Sequence, residues 1–88
     1  MNECTAVNKE VTITAMYFRN RRELRSYPKR MEYNGSTVNF LESGLQYLIK
    51  RGQKMIQIFD MTDGSDTYRL KFDEEQFNWT LVNITRNV

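Results

Sequence analysis

The chain has 88 residues and a mass of 10.6 kDa, with 40% hydrophobic and 27% charged residues, enough for one hydrophobic core and not two. That balance lies outside the low-hydropathy, high-charge range of disordered chains. Histidine is absent, which excludes the Ser-His-Asp and Cys-His nucleophile systems and the usual histidine-based zinc and iron sites.

The single cysteine, Cys4, cannot close an intramolecular disulfide or build a multi-cysteine metal site. A chain without a disulfide framework points to a reducing compartment, so a cytoplasmic location is expected. The opening residues include Glu3, Lys9 and Glu10 and show no basic-then-apolar order, so no signal peptide is expected. Residues 1–9 read as a flexible N-terminus ahead of a single β domain over residues 10–85. Apolar runs are only a few residues long, far short of the ~20 of a helical span, and no membrane association is expected.

Val11, Ile13 and Ala15 alternate with Thr12, Thr14 and Met16, and Tyr17 and Phe18 carry this β-rich run to about Arg19. Residues 20–26 are basic, lack an apolar period and read as a charged connection. Residues 27–33 and 36–41 flank Asn34-Gly35, a strong two-residue hairpin signal because a type I′ turn needs positive φ at both central positions. That turn pairs Tyr33 with Ser36, Glu32 with Thr37, Met31 with Val38 and Lys29 with Phe40, placing apolar opposite apolar on one face.

Residues 40–51 support two readings. Asn39 to Glu42 has the spacing of a capping box, and Phe40, Leu41, Leu45, Leu48 and Ile49 recur at helical spacing, which would give an α+β fold with one helix. Gly44 would weaken that helix by about 1 kcal/mol. The favoured reading is a second hairpin, residues 45–50 and 54–61, turning at Arg51-Gly52 and pairing Lys50 with Gln53, Leu48 with Met55, Gln46 with Gln57 and Leu45 with Ile58. A turn at residues 62–65 then leads into an alternating strand, Tyr68, Leu70 and Phe72 against Thr67, Arg69 and Lys71. After an acidic loop over residues 73–78, a last strand over 79–84 places Trp79 and Leu81 on one face and Val82 and Ile84 on the other.

The predicted architecture is all-β, a small antiparallel meander of up to seven strands curled into a barrel or packed as a sandwich. Its expected core is Val11, Ile13, Met31, Val38, Phe40, Ile56, Ile58, Leu70, Phe72, Trp79 and Leu81.

Little in the chain points to catalysis. The four glycines are too far apart for a phosphate loop, so no cofactor is expected. Asp60, Asp63 and Asp66 lack the ligand order of a calcium loop and read as turn residues, so no metal is expected either. Asp73, Glu74 and Glu75 read as a solvated loop, since so small a domain has little room for the cleft a carboxylate pair would need.

Charge is distributed unevenly despite a net +2. Residues 19–30 carry Arg19, Arg21, Arg22, Arg25, Lys29 and Arg30 against Glu23, while six carboxylates face two cations in residues 60–75. The basic residues are the candidate contact surface of a non-catalytic protein-interaction or regulatory accessory domain. Its partner would be an unidentified protein or a second copy offering its acidic stretch. The alternative is a nucleic-acid-binding small β-barrel using residues 17–33, with Tyr17, Tyr27 and Tyr33 stacking on bases beside the phosphate-pairing cations.

Overall fold

A computed structural model describes the backbone of residues 2–87, and the side chains of these residues except 2, 42–46, 51 and 87. It contains seven antiparallel strands: β1 (Asn2–Arg19), β2 (Leu24–Tyr33), β3 (Ser36–Asn39), β4 (Glu42–Arg51), β5 (Lys54–Thr62), β6 (Asp66–Asp73) and β7 (Asn78–Asn87). They form one sheet in the order β3-β2-β1-β7-β6-β5-β4. The chain is all-β, and no helix among the described residues is long and apolar enough to cross a membrane.

The 18-residue β1 organises the sheet. Its first half pairs with β7, from Asn2 opposite Asn87 to Val11 opposite Trp79. Its second half pairs with β2, from Thr12 opposite Glu32 to Arg19 opposite Leu24. One strand thus belongs to two ladders, and the β2–β3 ladder folds back over the inner face of β5–β7. The buried Ser26 hydroxyl of β2 donates to Gln57 Oε1 of β5 at 2.7 Å. In a flat sheet these strands, four steps apart, would be separated by about 19 Å. The sheet is therefore strongly curled, and no ladder joins β3 to β4 among the described residues.

Bulges accompany the curl. β1 carries an extra residue between Ala6 and Lys9, where Asn8 adopts a φ of 53°. Asparagine enters this left-handed region more readily than most side chains. On β2 the register shifts so that Thr14 faces Arg30 while Ala15 faces Pro28, leaving Lys29 as the extra residue. Pro28 lies beyond the end of the β3 ladder, which starts at Arg30, so its missing N–H breaks no bond on that side.

Met31, Phe59, Met61, Tyr68, Leu70, Phe72, Trp79, Leu81 and Ile84 form the core. Val11, Ile13, Val38 and Phe40 pack against it half-buried, as the alternation predicts. β5 differs from the expectation. Ile58 is buried outside this cluster and Ile56 is half-buried, while Gln57, Phe59 and Met61 face inward. Both faces of β5 carry apolar residues, so alternation alone cannot choose between them. Ile84 also joins the core, contrary to its expected face, because an extra residue in β7 between Leu81 and Asn83 resets the alternation.

The Asn34-Gly35 hairpin has the predicted register, with φ of 51° and 74° at its two central residues. In the second hairpin Arg51 pairs with Lys54 and Leu48 with Gln57, so the turn is Gly52-Gln53 and not Arg51-Gly52. Gly52, at φ 61°, takes the first central position, where a two-residue hairpin turn asks for positive φ. The same shift places Gln46 opposite Phe59 and not Gln57.

Residues 2–9 belong to β1, where the sequence suggests a loose terminus, and residues 24–26 belong to β2. Most of the side chains described in residues 3–9 are exposed, so this stretch has no core pattern to read; its pairing comes from the backbone ladder with β7.

Candidate interaction surface

The basic residues sit on the β1–β2 hairpin. Its turn is held by Asn20, whose Oδ1 accepts from the backbone N–H of Arg22 and Glu23 at 3.0 Å each, while Asn20 N–H donates to the Glu23 carbonyl at 3.1 Å. An asparagine that closes a turn on its own backbone leaves the neighbouring side chains free to project outward. Arg21 and Arg22 form the exposed tip, and Arg19 ends β1 opposite Leu24.

Arg25 pairs with Glu23 at 2.9 Å, with both side chains solvated, so the pair adds little stability. Arg30 reaches Thr14 Oγ1 only at 3.4 Å. Among the described residues Arg19, Arg21, Arg22, Lys29 and Arg30 make no ion pair.

The three candidate tyrosines separate. Tyr17 is directed to the core side: Trp79 Nε1 donates to its hydroxyl at 3.0 Å, and its ring lies 5.1 Å from Phe77 and 5.9 Å from Phe72. Tyr33 is half-buried and packs against the core. Tyr27 is on the outer face, edge-on to Phe18 at 5.6 Å and opposite Met16 in the ladder. Phe18 and Met16 are 53% and 47% exposed, so they belong with Tyr27 in an apolar patch bordered by Arg25 and Lys29. Their shared parity on β1 and the register to β2 are the signals that find them, and that register depends on a turn within residues 20–23 that no local sequence pattern specifies.

Behind this outer patch, the hairpin tip overhangs β4 and β5 and encloses a groove of about 580 Å³. Arg19, Arg21, Arg22 and Arg25 line one side, with Leu48 and Met55 on the other, and the carboxylates present are Glu23 and Glu74. The groove wall is fixed by Gln57, which is 1% exposed. Its Oε1 accepts from Ser26, and its Nε2 donates to the Leu24 carbonyl at 3.0 Å and to Glu74 Oε2 at 3.1 Å.

The acidic stretch is arranged differently. Asp60 accepts two parallel bonds from Arg69, at 2.8 and 2.9 Å. Asp73 pairs with Lys54 at 3.0 Å and caps the following turn by accepting from the N–H of Glu75 and Gln76. Asp63 accepts from the N–H of Ser65 and Asp66 and from the Tyr68 hydroxyl, each at 2.9 Å. Burial pushes the carboxyl pKa of Asp63 and Asp73 upward, but these bonds outweigh it and both lie below the ordinary value. Burial, reinforced by the bond to Asp63, raises the Tyr68 pKa.

No group of three or more metal-ligating side chains occurs among the described residues. In comparisons with known proteins, no family model, curated protein or solved structure matches the chain.

Proposed function

We propose that this chain is a non-catalytic protein-interaction domain that docks on an acidic surface of a partner protein through its β1–β2 hairpin, in a reducing compartment such as the cytoplasm. The observation that carries the reading is the grouping of Arg19, Arg21, Arg22 and Arg25 at one tip with a single paired carboxylate. Like charges brought together repel and contribute nothing to folding, whereas they steer and orient an oppositely charged partner. Self-association is the weaker form of this reading. Asp60, Asp63 and Asp73 already have partners within the same chain.

A second reading is single-stranded nucleic acid binding. The exposed rings of Phe18 and Tyr27 beside Arg25 and Lys29 favour it, because aromatic faces next to cations accept unpaired bases. A labelled oligoglutamate peptide and a labelled oligothymidylate, titrated separately at low and high salt, discriminate between the two. Protein docking predicts peptide binding that weakens with salt and disappears in Arg21→Glu/Arg22→Glu. Tight oligothymidylate binding that is lost in Phe18→Ala/Tyr27→Ala replaces it with the nucleic-acid reading.

A further inference from the structure

We infer that the groove beneath the hairpin tip takes an extended acidic peptide segment of the partner and requires an apolar side chain on it. This inference rests on the docking reading above and adds a specificity to it. The two sides of the groove differ in chemistry. Arg19, Arg21 and Arg22, which make no ion pair among the described residues, bring guanidinium groups that pair with carboxylates, while Leu48 and Met55 present apolar surface to the same 580 Å³ space.

Leu48 is 55% exposed although its ladder partner Gln57 is fully buried. The two residues share a face of the sheet, so Leu48 stands where the inner apolar face continues beyond the cover of β2. An uncovered leucine next to arginines suits a ligand that alternates acidic and apolar side chains, as an extended peptide does. Among the described residues β4 is also the last strand of the sheet, with a neighbour on one side only, so an extended segment in the groove lies beside an open edge.

The test uses two fluorescein-labelled decapeptides of Asp and Glu, one with a central phenylalanine and one with serine there. Affinity is read by anisotropy for the whole protein and for Leu48→Ser and Arg21→Glu/Arg22→Glu, each checked by circular dichroism. The phenylalanine peptide is expected to bind about tenfold more tightly. Leu48→Ser is expected to remove that preference, so that the two peptides bind with equal affinity, and the arginine variant to lose both peptides. Equal affinity for the two peptides, or a preference that survives Leu48→Ser, overturns the groove inference and leaves hairpin docking standing. Peptide binding that is absent, or unaffected by the arginine substitutions, overturns both.

Discussion

Residues 60–75 hold six carboxylates and residues 19–30 hold six cations, yet the fold uses the two stretches in opposite ways. In the acidic stretch, Asp60 pairs with a cation across neighbouring strands, Asp73 pairs with Lys54 and caps a turn, and Asp63 organises a turn and holds the Tyr68 hydroxyl. These three carboxylates are structural. In the basic stretch, the turn is closed by the neutral Asn20, and the basic side chains lie exposed, with Arg25–Glu23 their one ion pair among the described residues. The two poles of the chain are thus used differently: Asp60 and Asp73 are tied to cations within the fold, while most of the basic side chains of the hairpin make no ion pair among the described residues.

The contrast can be broken most forcefully at the core both regions share. Trp79 is 4% exposed, packs on Phe59 and Phe72, and ties Tyr17 of the basic hairpin to the acidic half. Trp79→Ala is expected to lower stability by about 3–5 kcal/mol and to melt both halves in one transition by circular dichroism. Two separated transitions would show that the halves are independent.

Next in size is Gln57→Ala, which removes the buried bridge between β2 and β5 and leaves the Ser26 hydroxyl without its partner. The expected loss in a urea titration is about 1–3 kcal/mol. Asp63→Ala removes the acceptor for two backbone N–H groups and for Tyr68, at an expected cost of about 1–2 kcal/mol.

The same carboxylates set the response to pH. Their folded pKa values are lowered, so their contribution is present above the unfolded value of about 3.9 and disappears as pH falls through the folded values. The melting temperature should therefore fall below about pH 4, and less steeply in Asp63→Asn/Asp73→Asn. Tyr68 acts at the other end: its pKa is raised in the fold, so its contribution holds below the unfolded value of about 10 and is lost as pH rises beyond it. Tyr68→Phe should flatten that alkaline limb.

The smallest effect on folding, and the sharpest statement of the contrast, belongs to Arg21→Glu/Arg22→Glu. With no ion pair to break at either position among the described residues, stability should stay within about 0.5 kcal/mol of the parent even though two charges are reversed. A larger loss would mean that the basic tip also has a structural role.

Local chemistry made much of the strand pattern legible. Asn34-Gly35 specified its turn and through it the pairing of Met31 with Val38, and the alternation around Tyr68, Leu70 and Phe72 specified an inward face. The six basic side chains of residues 19–30 lie exposed, but residues 24–26, which lack an apolar period, belong to β2 and Ser26 is buried. Three features needed the tertiary structure. The pairing of residues 2–9 rests on the backbone ladder with β7, and backbone groups are the same in any sequence. The bulge in β7 turns Ile84 inward because one extra residue reverses a period of two, and no side chain announces it. Gln57 lies inside, where a polar side chain is tolerated only because Ser26, Leu24 and Glu74 converge on it from distant parts of the chain. The groove between the hairpin tip and β4–β5 has the same origin: its arginines and its leucine lie far apart in sequence, and only the curl of one long sheet brings them to face each other.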